Sequence, residues 1–412
     1  MLATTDAEYW QDPHAALRSA RALGNVARSP WGGLVLLDYD DCTAALTDAR
    51  YTNDYDALLT RHDVLDGPLW DWWQLAMLNN NPPVHTRLRS LVNRAFTPRS
   101  VVRAAEPTRR VTADIIDRAL EDGQLELVRD LCEPLPIAVM CELIGIPHAD
   151  RGDFDTWISD LGLMFTASMT PESRRIAEGA MANLSDAISD LIEVRRRAGE
   201  PGDDLLGDLI AAEDGGDRLH RDELVAMIVN LLFGALDTTR GALSMHLTYL
   251  ALDEHALTTM RDAGVTPEAV EELLRLEPPV GEIARAAAAD FEVCGYPVSQ
   301  GEIVGLSVLA ANRDPARFPE PDRFDPSRHG AGTGASPLLS FGRGIHHCIG
   351  AALARLELRE ALSTILERCA TIEIAGDTPP RYVPFLSVRC MQEVTLAITR
   401  TEECPRASTT FR

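Results

Sequence analysis

The sequence predicts a mainly α fold with small β-sheets, and three observations carry that prediction. Five long segments, 102–120, 171–197, 221–252, 266–276 and 351–369, repeat apolar residues at three- and four-residue spacing, which gathers them on one face of a helix. Strand-like runs are few and short: 33–37, 291–293, 303–309 and 394–398. Gly and Pro thicken between 314 and 350 into an irregular stretch just before the last long helix, and loops of that length usually carry function or are disordered. This one is rich in specific residues, which favours function. At 412 residues, 45% hydrophobic and 25% charged, the chain has globular composition and can bury a sizeable core.

Two helix starts are well signalled. Thr170-Pro171-Glu172 and Thr266-Pro267-Glu268 each put a capping hydroxyl before a proline suited to the first turn, with an acid at the positive end of the dipole. The acidic, glycine-containing stretch 203–217 reads as a turn region. No internal repeat is present, and one domain spanning 1–412 is the simplest organisation.

The 39 cationic side chains are all arginine, against 63 acids, for a net charge of −24. That balance argues against nucleic acid, whose phosphates need a dense cationic footprint. The longest near-apolar run, Leu224 to Leu236, is broken by Asn230 and falls short of the ~20 residues that cross a bilayer. The first twelve residues lack a basic start and an apolar stretch, so no signal peptide is expected. Eight cysteines without a CxxC pair read as reduced thiols, and a cytoplasmic location is expected.

The sharpest feature is Phe341-Gly342-Arg343-Gly344-Ile345-His346-His347-Cys348-Ile349-Gly350, followed at once by a helical pattern. Cys348 therefore lies in a glycine-rich loop at a helix N-terminus, where backbone N–H groups and the dipole stabilise a thiolate suited to ligating iron. A lone core cysteine is the plain alternative. A zinc site at His346-His347-Cys348 lacks further ligands. A phosphate cradle lacks the full glycine frame and its preceding strand.

The loop resembles the haem-binding segment of the cytochromes P450, Phe-Gly-x-Gly-x-His-x-Cys-x-Gly, at every specified position. The resemblance implies a single-domain cytochrome P450 fold binding haem b, with Cys348 as axial ligand, Phe341 packed beside it and His346 near a propionate.

Three further segments agree, and together they span about 81 to 350 in the family's order. Glu272-Leu273-Leu274-Arg275 puts an acid and an arginine on one helix face, ordinarily a surface pair worth a few tenths of a kcal/mol. It is similar to the family's Glu-x-x-Arg helix, and Pro321-Asp322-Arg323-Phe324 resembles the segment that adds a second arginine. The implied buried network is Glu272, Arg275 and Arg323. Phe233-Gly234-Ala235-Leu236-Asp237-Thr238-Thr239 places an acid and two hydroxyls in the most apolar helix, which costs free energy unless they are paired or used. Hydrogen-bonded polar residues that bend a helix would account for it. The functional reading is a local distortion over a ligand. The segment resembles the family's distal helix, with Thr238 placed at dioxygen and Asp237 as proton relay; Ala235 replaces the commoner glycine. Pro82-Pro83-Val84-His85-Thr86-Arg87-Leu88-Arg89 resembles the start of the helix that supplies His85 and Arg89 to a haem carboxylate, and Arg285 matches the arginine for the other.

By this resemblance the chain is a haem–thiolate monooxygenase that takes O2 and two electrons and oxidises an apolar small molecule, with bacterial secondary metabolism the default setting. No flavin, nicotinamide or iron–sulfur segment is visible, so a ferredoxin and its reductase are the expected donors. Arg99, Arg103, Arg343, Arg355 and Arg359 are expected to form a basic patch for the ferredoxin. Pocket positions are expected at Trp70, Trp73, Phe233, Gly234, Val280 and Phe385. A peroxygenase, or a non-catalytic relative that activates a partner enzyme, is the alternative; the first typically lacks an acid–threonine pair, and loss of that pair or of the cysteine would mark the second.

Overall fold

In the computed structural model, the described residues are 2, 4, 6–30, 32–165, 169–199, 202–214, 216–330, 337–384 and 388–402. The chain forms two compact units. The first comprises Met1–Tyr51, Ala105–Pro136 and Asp237–Arg412; the second comprises Thr52–Ala104 and Ile137–Leu236.

Four strands of the first unit's main sheet run in the order Val26–Arg28, Leu34–Leu36, Ile303–Ser307, Glu282–Ala287. Leu34–Leu36 and Ile303–Ser307 pair in parallel, and the other pairings are antiparallel. This register sets Arg285 opposite Val304. One core cluster gathers Leu34, Leu36, Val304 and Leu306 with Tyr39, Phe318 and Leu339. A smaller sheet pairs Cys369–Ile374 with Thr395–Arg400, and the latter with Gln124–Glu126.

The helix Ala351–Arg368 packs against Ala105–Asp122 and Pro267–Leu276. Pro267–Leu276 starts as the sequence predicts: the Thr266 hydroxyl accepts from the Ala269 N–H, and Pro267 occupies the first turn. The expected run 303–309 is shorter as a strand. It ends at Ser307, whose hydroxyl accepts from the Ala310 N–H and caps a short helix, Val308–Ala311.

In the second unit, Pro171–Ala198 is capped by Thr170 and packs against Arg151–Leu161 and Pro68–Leu75. The expected turn region at 203–217 instead contains a helix, Leu205–Ala211. The reason is local: the Asp204 carboxylate accepts from the Gly207 N–H at 2.9 Å and pairs with Arg195 at 2.6 Å, while Leu205, Leu206 and Leu209 are buried.

The longest helix, Arg221–Leu252, has the predicted bounds. Its residues to Leu236 belong to the second unit, and those from Asp237 to the first. It is the one described helix long and apolar enough to cross a membrane, and more than half of its most apolar stretch is buried in the protein.

Candidate active site

The cysteine loop closes on itself. The Cys348 N–H donates to the Phe341 carbonyl at 2.9 Å, and the Gly342 N–H to the Leu339 carbonyl at 2.8 Å. Gly344 adopts φ 75°, and a Cβ there would lie 2.5 Å from the Leu46 carbonyl oxygen, so only glycine lets the loop approach the end of helix Tyr39–Thr47. The Arg355 guanidinium lies 4.2 Å over the Phe341 ring and pairs with Glu271, which fixes the ring's orientation. Cys348 ends up three residues before the first turn of the 18-residue helix Ala351–Arg368. Its side chain is exposed, whereas Cys42, Cys132, Cys141, Cys369 and Cys390 are buried. Burial pushes the thiols of Cys42, Cys132, Cys141 and Cys390 up, so they stay protonated. Cys294, also exposed, sits on the hairpin turn between Phe291–Val293 and Tyr296–Val298, away from any helix N-terminus. Among the described residues no three His, Cys, Asp or Glu side chains converge to hold a metal ion.

In the long helix, Leu224–Val229 and Ala242–Leu247 are buried, yet 233–238 remain accessible. A Cβ on Gly234 would meet nothing within 4 Å, so protein packing does not require glycine there. Asp237 pairs with Arg240 at 3.0 Å, and Arg240 reaches Glu133, a half-exposed acid, at 3.8 Å. Burial raises the Asp237 carboxyl above the ordinary range, and the Arg240 cation opposes the rise.

The helix is a single element from Arg221 to Leu252, and these polar residues lie within it. Asp237 finds its partner one turn along the same helix, and the Thr239 hydroxyl bonds outward to Glu357 Oε2 at 3.4 Å. Neither competes with the helix's own carbonyls.

Arg285 is buried on Glu282–Ala287, donating from Nη1 to the Ala284 carbonyl at 2.8 Å, and His346 is half-buried on the short turn Gly344–His346. In the other unit, His85 is buried and Arg89 half-buried, one turn apart on Val84–Ala95. Burial first, and then the Arg89 cation, lowers the His85 pKa, so its ring stays neutral at physiological pH.

Glu272 and Arg275 form the buried pair the sequence predicts, at 2.7 and 2.8 Å, with both side chains 0% exposed. Burial alone would raise the Glu272 carboxyl; hydrogen bonds from Arg275 and His329 instead hold it down to about 2. The third member differs from expectation. Arg323 contributes only its carbonyl, which accepts from Arg275 Nη2 at 3.3 Å, and its exposed side chain turns to Glu320. Arg328 and His329, from the next turn, reach Glu272 at 3.2 and 2.9 Å. The chain bends at Asp325-Pro326, where the Asp325 N–H donates to Glu272 Oε1, and this swings the later residues inward.

Other expected positions divide. Phe233, Gly234, Trp70 and Val280 are accessible. Trp73 is 1% exposed and is core rather than pocket wall. Trp72 packs beside Phe233 and donates to the Ala226 carbonyl at 3.2 Å. Phe385 lies outside the described residues.

The expected basic patch is mostly neutralised. Arg99 and Arg103 pair with Asp203, Arg103 also with Asp208, Arg355 with Glu271 and Arg359 with Glu360. Of the five, Arg343 alone has no ion pair among the described residues.

Two residues escaped the sequence reading. Arg240 was legible as the i+3 partner of Asp237. Glu357 is 3% exposed and has no hydrogen-bond partner on Oε1 among the described residues. Its signal was a carboxylate on the same helix face as Leu353 and Ala361.

An accessible thiol before a helix N-terminus, a glycine loop with no room for a side chain at 344, an accessible stretch in an otherwise buried helix and a buried arginine on the adjoining strand fit a haem held through Cys348. The comparisons agree. The cytochrome P450 family model matches residues 153–263 and 259–391. The chain is 35% identical over 379 residues to 6-deoxyerythronolide B hydroxylase of Saccharopolyspora erythraea, covering 89% of this chain and 90% of that protein. It is 36% identical over 382 residues to the cytochrome P450 monooxygenase PikC of Streptomyces venezuelae, covering 90% and 87%. Among solved structures, the cytochrome P450 PksS of the Bacillus subtilis bacillaene polyketide synthase superposes with a TM-score of 0.85 at 29% identity, covering 97% of this chain and all of that one. The chain belongs to the cytochrome P450 family of haem–thiolate monooxygenases.

Proposed function

We propose that residues 1–412 act as a single haem b domain that oxidises an apolar secondary metabolite of polyketide type in the bacterial cytoplasm, with electrons from a ferredoxin and its reductase. The observation that carries this reading is Cys348: an exposed thiol in a closed glycine loop, immediately before the helix Ala351–Arg368. The polyketide class rests on the names of 6-deoxyerythronolide B hydroxylase and of the bacillaene synthase relative. The external donors are supported by membership of the cytochrome P450 family, whose fold implies redox partners.

Bound haem supplies the activation of O2 that inserts oxygen into a C–H bond at the expense of two electrons and two protons. Cys348 would hold the haem iron through its sulfur, and the helix N-terminus behind it stabilises the thiolate charge. Arg285 and His346 would hold a haem carboxylate, and the family resemblance gives His85 and Arg89 the same role. Asp237 binds a proton more readily than an exposed acid and hands it to the neighbouring Thr238 hydroxyl. Arg240 and the half-exposed Glu133 connect Asp237 to solvent protons.

The test is a carbon monoxide difference spectrum of the reduced holoprotein, followed by titration with macrolactones. A thiolate-type band and a low- to high-spin shift are expected. Turnover should require ferredoxin and reductase. Absence of the thiolate band overturns the reading, and equal turnover with hydrogen peroxide alone overturns the electron route.

A further inference from the structure

One buried arginine that the haem chemistry does not use lies where three segments of the first unit meet. Arg389 is 0% exposed. Its Nη2 donates to Glu277 Oε2 at 2.8 Å and its Nη1 to the Pro278 carbonyl at 3.2 Å, while its backbone N–H donates to the Pro279 carbonyl at 2.6 Å. The Tyr382 ring lies 4.7 Å from the guanidinium. The Arg389 carbonyl rests on the long helix at Gly241, where a Cβ would come within 2.1 Å of its oxygen. The following residues stay on that helix: the Met391 N–H donates to Ser244 Oγ at 3.2 Å, and Ser244 Oγ donates to the Gly241 carbonyl at 2.9 Å.

A buried guanidinium is costly unless it is paired and its donors are satisfied. Glu277 supplies the counter-charge and is itself held by His14 at 2.8 Å and Arg313 at 3.2 Å. Tyr382 adds a longer contact at 3.4 Å, and the Glu277 carbonyl accepts from His246 of the long helix at 3.0 Å. Burial would raise the Glu277 carboxyl, but the contacts from His14, Arg389 and Arg313 keep it well below its usual range, so the carboxylate stays ionised beside Arg389. Two of the three guanidinium nitrogens are bonded, Nε having no partner among the described residues, and what the two arms hold is specific. Pro278 and Pro279 lead directly into the accessible Val280 and then to the strand carrying Arg285. Gly241 is one turn beyond Asp237. Charge neutralisation alone would need one contact to Glu277. The second arm on the Pro278 carbonyl and the carbonyl seated on Gly241 fix the spacing between the Val280 turn and the Asp237–Thr239 turn.

We propose that Arg389 is a positioning residue that sets substrate selectivity by clamping the Pro278–Val280 turn against the long helix at Gly241. This deepens the monooxygenase reading and rests on it. Lysine at 389 keeps the charge but reaches only one acceptor. Alanine at 241 pushes the Arg389 carbonyl off the helix and leaves the guanidinium arms in place. Both substitutions should relax the same spacing.

The experiment compares the wild-type holoenzyme with Arg389→Lys and Gly241→Ala by spectral titration with imidazole and with the bulky azole clotrimazole. In Arg389→Lys, the reduced carbon monoxide band should be retained and imidazole affinity should hold within about twofold. The clotrimazole-to-imidazole affinity ratio should shift by about fivefold, the scale of one lost hydrogen bond. Gly241→Ala should move the ratio in the same direction. An unchanged ratio with only a lowered melting temperature makes Arg389 purely structural and overturns the proposal. Should Arg389→Lys fail to load haem, Gly241→Ala decides alone; failure of both to load overturns the proposal in favour of a folding requirement. Absence of the thiolate band in the wild type is instead a failure of the monooxygenase reading.

Discussion

Thr239 on the long helix Arg221–Leu252 donates its hydroxyl to Glu357 on the helix that follows Cys348, at 3.4 Å across the buried interior of the first unit. This bond joins the polar turn of one helix to the helix behind the thiol. Burial drives the Glu357 carboxyl up to about 8, and the Thr239 bond offsets only part of that rise. At neutral pH the group is thus mostly protonated, within hydrogen-bond reach of Thr239.

Because the Glu357 pKa is raised on folding, its neutral form stabilises the native state fully below the unfolded carboxylate range. That stability declines as pH rises from about 4.5 towards about 8. Glu357→Gln should remove this slope. In urea unfolding of the holoprotein, wild type should lose a few kcal/mol more than the variant between these limits. Equal losses in the two proteins would show that Glu357 is ionised throughout.

Asp237→Asn keeps shape and polarity but removes the titratable group beside Thr238. Product formation should fall about 10²-fold while spectral substrate affinity changes little, since general acid catalysis contributes on that scale. The diagnostic is uncoupling, with more NAD(P)H consumed per product. An unchanged ratio of reductant consumed to product would assign the protons to another route.

Cys348→His should retain haem but move the reduced carbon monoxide band from the thiolate position to that of an imidazole-ligated haem. Oxidation of substrate should be lost along with the sulfur donor. A variant that keeps the thiolate band would place the ligand at another cysteine, with Cys294 the remaining exposed one among the described residues.

Glu272→Gln strands the fully buried Arg275 and should cost ~3–5 kcal/mol, because a desolvated cation then lacks its counter-charge. Arg328→Ala should also destabilise, whereas Arg323→Ala should change stability by no more than ~0.5 kcal/mol, since its exposed side chain reaches only Glu320. With the Glu272 pKa depressed to about 2, the network's contribution is full above about 4.5 and is lost as pH falls below it. Chemical denaturation of the three variants at neutral and acidic pH checks the order.

Legibility followed the range of the forces involved. Helix bounds at 171, 221, 266–276 and 351 were readable because caps, prolines and apolar spacing act within a few residues. The thiol's place before a helix was readable for the same reason, as was the adjacency of Glu272 and Arg275. The helix at 205–211 was missed because its N-cap, Asp204, needs Arg195 and three buried leucines to outweigh an acidic, glycine-containing surround.

The amino-acid sequence by itself determined the fold class, the cysteine loop, the helix register of Asp237 and Thr239, and the shortage of cations not matched by acids. Only the tertiary structure decided which charges meet. Arg328 rather than Arg323 completes the Glu272 network, Trp73 goes to the core, four of the five arginines of the expected patch find acids, and Glu357 faces Thr239 across 118 positions of chain. The physical reason is that ionisation and burial depend on distances between segments remote in sequence. No local spacing encodes which carboxylate loses its water and keeps its proton.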